Sequence, residues 1–431
     1  MIFIIADDLT GANDTGVQFA KHGYKTSVLI LDDKLKNMEC KNVHDVLVID
    51  TETREVGENV ARGKLARMLK EIKFGVSEND IVYKKIDSTL RGNAGAEIEE
   101  NLKIFKKQFC LLSPSFPPHQ RVTVGGNLIV QDKPLGFTPY IAANNHDIAE
   151  SFIPSILEKQ TKLPIGIIDI KEIQKGKTNI TNLITMLTNE GKEIIVADSS
   201  NEKHLKDIVS SGMSFGSKVL FAGSAGLANC LAESYQKKTG PTINVQHNKS
   251  PILVVGGSRN PIMVDQIRYL KNNLDFNELR IDIREIYTQK DNKLHQYTKE
   301  SLEIIKGNHD LIIYTDAPNN EQKAIDNELM RKYKLTYKEL EKNIKIFLGL
   351  LTSNIVKGAN VRNLILTGGD IAISACRELG ISKLELLGEL LPGIPLTIAR
   401  YDDNSLNIIT KAGGFGKKDT LYDLIKNFQN C

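Results

Sequence analysis

The chain of 431 residues has no tryptophan, only 6% aromatic side chains, five cysteines and eight histidines. The cysteines, Cys40, Cys110, Cys230, Cys376 and Cys431, are scattered, odd in number and never spaced C-x-x-C. That pattern speaks against a disulfide framework or a cysteine zinc site and fits reduced thiols in the cytoplasm. No histidine stands in a recognisable ligand spacing, so neither a histidine metal site nor a Ser-His-Asp triad is supported. A charge excess is missing too: 56 basic against 53 acidic side chains leave +3. Nucleic-acid binders usually carry a strong basic excess or patch, so nucleic acid is not an expected partner. A small anion needs only a local group of cations. No apolar run approaches the roughly 20 residues of a membrane helix. The apolar opening, residues 1–6, is too short for a signal peptide and has no basic region before it. Low-complexity tracts and short repeats are absent.

What is present is an ordinary globular composition, 41% hydrophobic and 25% charged, in a chain long enough for two domains of roughly 200 residues. Short β-rich runs at residues 2–6, 26–31, 46–50 and 80–84 alternate with helix-compatible stretches at 57–73 and 94–105. The alternation predicts α/β domains, each a mostly parallel sheet flanked by helices. Residues 121–130 break it: a glycine pair between two apolar runs reads as a β-hairpin. Strands resume at 165–170, 193–197 and 218–222. Residues 236–250, QKKTGPTINVQHNKS, read as a linker, which divides the chain into domains at 1–235 and 251–431. The second has strands at 251–255, 311–314 and 364–367. Its long helix, 336–356, carries an apolar stripe (Leu340, Ile344, Phe347, Leu348, Leu351, Ile355) that reads as core packing.

Chemistry-bearing residues cluster where strands end. In open parallel sheets, ligands bind outside the carboxyl ends of strands. Residues 6–14, ADDLTGAND, put Asp7, Asp8 and Thr10 there. The two carboxylates suit sugar hydroxyls, a base or a metal, and the plainer alternative is a helix cap. Residues 84–93, KKIDSTLRGN, follow another strand. Arg91 offers a fork for a carboxylate, Lys85 a point charge, and Asp87 and Ser88 bond hydroxyls; the alternative is a capped loop with a surface ion pair. The loop at 114–121 ends in Arg121, a second cation or merely the end of a stiff turn. The glycine turn at 222–228 suits an anion or tight packing. In the second half, glycine turns follow strands at 256–261 (with Ser258), 367–370 (Thr367, Gly368, Gly369, Asp370) and 411–416 (with Gly413). Such turns let phosphate approach the backbone at a helix N-terminus. Asp370 can bind Mg²⁺, act on an attacking hydroxyl or cap the helix. Neither a Walker spacing nor G-x-G-x-x-G is present, which disfavours a P-loop and a dinucleotide dehydrogenase.

These segments, ADDLTGAND, KKIDSTLRGN, GGSRNP, TGGD and KAGGFG, occur in the order found in the four-carbon acid sugar kinase family, and the chain resembles it over nearly its whole length. The resemblance implies an N-terminal domain for the acid sugar, a C-terminal domain for ATP, and an active site in the cleft between them. It implies a cytoplasmic enzyme that uses ATP and Mg²⁺ to phosphorylate a hydroxyl of threonate, erythronate or a 3-oxo-tetronate. A homo-oligomer is compatible with it. By motif position, Ser258, Thr367, Gly368, Gly369, Asp370 and Gly413 contact ATP. Asp7, Asp8, Lys85, Asp87, Ser88, Arg91 and Asn93 contact the acid sugar. Asp8 and Asp370 are the candidate catalytic residues. Relatives often carry a Ser-Gly-Asn-Phe-Gly run where this chain has Ala412-Gly413-Gly414-Phe415-Gly416, which leaves backbone contacts but removes polar side chains. A non-catalytic regulator binding the same ligands is the alternative; the lack of a DNA-binding arm weighs against it.

Overall fold

The computed structural model describes residues 1–30, 44–73, 76–77, 79–138, 150–235, 250–257, 260–315, 320–402 and 404–430. Two compact units emerge, Met1–Pro241 and Thr242–Cys431. The expected linker lies outside the described residues except for Ser250, and so does Ser258.

In the first unit, short runs rich in Val, Ile and Leu form strands largely buried on both faces, apart from the half-buried edge strand at Ile165–Ile168, as a parallel sheet covered by helices requires. These are β1 (Ile2–Ala6), β2 (Thr26–Ile30), β3 (Val46–Asp50), β4 (Ile81–Lys85), β5 (Phe109–Ser113), β9 (Ile165–Ile168), β10 (Ile194–Ala197) and β11 (Val219–Gly223). Their order is β2-β3-β1-β4-β11-β5-β10-β9, and every pairing is parallel. Between β5 and β9 lies a small antiparallel sheet of β6 (Arg121–Val124), β7 (Asn127–Val130) and β8 (Lys133–Pro134). The expected hairpin is there because Gly125 and Gly126 take φ of 60° and 71°, the left-handed pair that a tight two-residue turn demands. Asp198 holds the turn by accepting from both glycine amides, at 2.5 and 3.0 Å.

The second unit orders β12 (Ile252–Gly256), β13 (Asn277–Ile281), β14 (Leu311–Thr315), β15 (Asn363–Thr367), β16 (Lys383–Leu391), β17 (Ile394–Tyr401) and β18 (Asn404–Lys411) as β13-β14-β12-β15-β18-β17-β16. The first five run parallel, and β17 and β16 extend the sheet antiparallel. The alternation of βα units did not disclose this meander, although β16 alternates strictly between buried and half-buried positions. The long helix spans Tyr337–Gly358, opened by a capping box between Thr336 and Glu339, and buries the expected stripe.

Candidate active site

Strands β1 and β4 are adjacent and parallel, with Ile5 opposite Lys84, so the loops leaving their carboxyl ends lie side by side. Asp8 ends its loop as the N-cap of helix Leu9–Lys21, its Oδ1 accepting from Gly11 N at 2.8 Å. The cap leaves the other oxygen of Asp8 for a second partner, and it accepts from Arg54 at 2.5 Å. Arg54 is the residue that sequence reasoning missed. It follows β3, the other neighbour of β1. Its Nε and Nη2 grip the two oxygens of Asp7 at 2.9 and 2.8 Å, and its Nη1 also lies 4.0 Å from Asp87. The polar run Asp50-Thr51-Glu52-Thr53-Arg54 after a strand was the available signal.

Asp87 is itself engaged through both oxygens. Arg91 donates Nε and Nη2 to it at 2.9 and 2.7 Å, and Thr89 donates Oγ1 at 2.5 Å and its amide at 3.1 Å. Arg91 is 41% exposed, and its Nη1 makes no hydrogen bond among the described residues. Lys85 is buried, yet its ammonium makes no ion pair or hydrogen bond among the described residues. A Cβ at Gly11 would sit 3.0 Å from it. Ser88 is half-buried beside this group. Asn93 turns away: its amide nitrogen donates to the carbonyls of Thr53 and Val56 at 2.9 and 3.0 Å, which ties the Arg54 segment to the loop after β4. Lys84, fully buried, pairs with Glu97 at 2.5 Å.

Protonation follows from these contacts. Burial would raise the Asp7 carboxyl, but Arg54 and then Lys84 bring it below its ordinary value. For Asp87, burial is overcome by Arg91 and Arg54, which hold it well below the usual range. Asp8 goes the other way: burial outweighs Arg54, the Asp7 charge adds to the rise, and the carboxyl gains proton affinity. Asp50, at the end of β3, is raised well above the usual range by burial, then by Glu52 and Asp8.

Two other segments show close local contacts. Arg121 donates to the His119 carbonyl at 3.1 Å. Ser224 caps helix Ala225–Ser234, and a Cβ at Gly226 would lie 2.6 Å from the Ser115 carbonyl oxygen, so that turn serves tight strand–helix contact.

In the second unit three glycine turns leave neighbouring strand ends, since Gly256 pairs with Thr367 and Thr367 with Lys411. Gly368 takes φ of 104°, a value suited to glycine, and helix Gly369–Glu378 begins after it with no side-chain cap. Its first amides are therefore open to an anion. Asp370 is exposed and pairs with Lys345 at 2.5 Å. Thr367 is buried, its hydroxyl against Met263 Sδ at 3.4 Å. Gly414 packs on the N-cap of helix Pro261–Asn273: a Cβ there would meet Asn260 Nδ2 at 2.6 Å. The amides of Gly413 and Gly414 bond nothing among the described residues.

One unit thus gathers acids and cations suited to a polyhydroxy acid, the other glycine turns suited to phosphate, which is the division of labour of a sugar kinase. Comparison agrees. Residues 2–231 match the sugar-binding N-terminal domain family and residues 253–421 the nucleotide-binding C-terminal domain family. The chain is 30% identical to the D-threonate kinase of Salmonella typhimurium LT2, over 98% of this chain and 97% of that one. It is 26% identical to the D-erythronate kinase of Heliobacterium modesticaldum (97% and 94% covered) and 24% identical to the 3-oxo-tetronate kinase of Pseudomonas savastanoi (98% and 96%). A solved Haemophilus influenzae protein shares the fold with TM-score 0.75 at 20% identity, covering 98% of this chain and 99% of that one. The chain belongs to the four-carbon acid sugar kinase family.

Proposed function

We propose that this enzyme transfers the γ-phosphoryl group of ATP to a hydroxyl of a four-carbon acid sugar of the threonate, erythronate or 3-oxo-tetronate class. The observation that carries the reading is the cluster of Asp7, Asp8 and Asp87 with Arg54, Arg91 and Lys85 at the ends of β1, β3 and β4. The acid sugar carboxylate takes the open Arg91 nitrogen and the unpaired Lys85 ammonium, with Ser88 on a hydroxyl. Asp7 and Asp87, held ionised by guanidinium groups, accept from the sugar or fix those cations. Asn93 acts one step back, by holding the Arg54 segment.

Asp8 is the proposed base. It alone of the three has its proton affinity raised, which suits a group that must take a proton from the attacking hydroxyl. Phosphoryl transfer otherwise asks for positioning and charge neutralisation. The Gly368-Gly369 turn, Gly413 and, by motif position, Ser258 would receive the nucleotide phosphates. Mg²⁺ is assigned to the MgATP substrate, and Asp370, in the first turn of the helix after Gly368, is the carboxylate proposed to face it. No helix among the described residues is long and apolar enough to cross a membrane, which accords with a cytoplasmic enzyme. A panel of threonates, erythronates and 3-oxo-tetronates, followed by coupled ADP detection with Mg²⁺, tests the reading. Turnover of at least one is expected, and none by well-folded protein would sink the substrate class.

A further inference from the structure

Lys411, the last residue of β18, is 1% exposed and has no role in the chemistry above. A buried ammonium ordinarily sits on a carboxylate, because an isolated charge is costly to desolvate. This one does not. Its Nζ donates to two backbone carbonyls of the turn that follows, Ala412 O at 3.0 Å and Phe415 O at 3.2 Å. Burial alone lowers its pKa to about 8, with no carboxylate among the described residues offsetting it. The same turn is closed by Phe415 N on Ala412 O at 3.0 Å. That leaves the amides of Gly413 and Gly414 without partners among the described residues. On the neighbouring strand, the amide of Gly368 donates to the Lys411 carbonyl at 2.7 Å, so two of the three glycine turns are fastened at this residue.

We propose that Lys411 is a positioning residue for the nucleotide: its ammonium draws the Ala412 and Phe415 carbonyls inward and presents the free Gly413 and Gly414 amides, with a positive charge behind them, to an ATP phosphate. The missing counter-ion is the phosphate itself. Carbonyl oxygens offer partial charge and leave the ammonium short of a full negative one, a deficit that a bound polyphosphate removes. Gly414 completes the arrangement, since any side chain there would meet Asn260. This inference rests on the kinase reading, specifically on the second unit as the nucleotide site.

Calorimetric titration of the full-length protein with ADP, beside initial rates varied in ATP and in acid sugar, separates the two claims. Wild type is expected to bind ADP; failure to bind would overturn both the nucleotide site and the role of Lys411. Lys411→Met should raise the ADP Kd and the ATP KM by at least about tenfold, the scale of one charge-assisted hydrogen bond. The acid sugar KM should stay within about twofold, and Lys411→Arg should bind ADP more tightly than Lys411→Met. A folded Lys411→Met protein with wild-type ADP affinity, or one that loses acid sugar affinity equally, would overturn the inference while leaving the kinase reading intact. Should Lys411→Met fail to fold, Gly414→Ala moves the same turn without stranding a charge. It should weaken ADP binding and spare the acid sugar KM, and unchanged ADP binding there refutes the proposal.

Discussion

Arg54 holds Asp7 bidentately along one edge of its guanidinium, Nε on one carboxylate oxygen at 2.9 Å and Nη2 on the other at 2.8 Å. Its remaining nitrogen reaches Asp8 at 2.5 Å. One cation thus faces two adjacent acids, Asp7 buried and Asp8 half-buried. Removing one member of a buried pair leaves an uncompensated charge, at a cost of about 3–5 kcal/mol. Arg54→Met is therefore expected to destabilise the first unit on that scale and to abolish acid sugar turnover. Arg54→Lys should recover part of the stability, since an ammonium cannot bridge three oxygens with a fork's geometry. Urea unfolding of both variants checks this; a loss below about 1 kcal/mol in Arg54→Met would show the cluster to be solvated instead.

Asp50 gives a pH signature of opposite sign to an ordinary ion pair. Its carboxyl is raised well above the usual range, by burial first and then by Glu52 and Asp8. The folded state therefore retains a proton that the unfolded chain releases near about pH 3.9. Stability falls as pH climbs from there to the raised folded value, then stays level. Asp50→Asn is uncharged throughout and keeps an acceptor for the Glu52 amide, which lies 3.1 Å from Oδ1. The variant should match wild type near about pH 4 and exceed it in stability toward neutrality. Denaturant midpoints at several pH values would reveal this, and a difference that does not vary with pH would refute it.

How much of this was legible in the sequence depends on separation along the chain. Strand β1 and helix Ala94–Phe105 fall where their apolar patterns place them, and the hairpin sits on its glycine pair, because those signals are local. The Asp87–Arg91 pair is local as well: four residues apart, the two side chains engage one another, so the fork expected to be free for substrate is largely occupied. Arg54 and Asp7 are 47 residues apart and meet only because β3 pairs with β1. Strand order is decided by packing of whole layers and has no local signature. The antiparallel β16–β17–β18 meander escaped for a related reason: its three strands run almost back to back, with no helix between them to mark the change of direction.

Gly11 tests whether the site tolerates any added volume. A Cβ there would lie 2.6 Å from Asp8 Oδ1 and 3.0 Å from Lys85 Nζ. Asp8 must then give up its cap on the Gly11 amide or shift its bond to Arg54. Gly11→Ala should cost about 1–3 kcal/mol of stability, within the range for overpacking a tight interior. Because helices favour alanine over glycine, an unfavourable result points to the site and not to the helix. Circular dichroism melts together with acid sugar kinetics decide it, and a Gly11→Ala protein equal to wild type in both would mean that the cluster relaxes freely.

On the proposed reading Arg91 and Lys85 divide the task of holding the substrate carboxylate, and their variants should fail differently. Arg91 keeps Nε and Nη2 on Asp87 and has Nη1 to spare, on a side chain that is 41% exposed. Lysine at this position keeps a charge but cannot hold Asp87 with two parallel bonds and reach a ligand with a third. Arg91→Lys should therefore lower kcat/KM for the acid sugar by about 2–5 kcal/mol in transition-state terms once bound substrate desolvates the pair. Lys85→Met removes an ammonium that makes no direct ion pair among the described residues but lowers the carboxyls of Asp7, Asp8 and Asp87, so it should weaken acid sugar binding and cost some fold stability as well. Both variants should bind ADP as wild type does, because the glycine turns lie in the other unit. Unchanged acid sugar kinetics in folded Arg91→Lys would refute its assignment, and a loss confined to ATP affinity would mean that the two ligands had been placed in the wrong units.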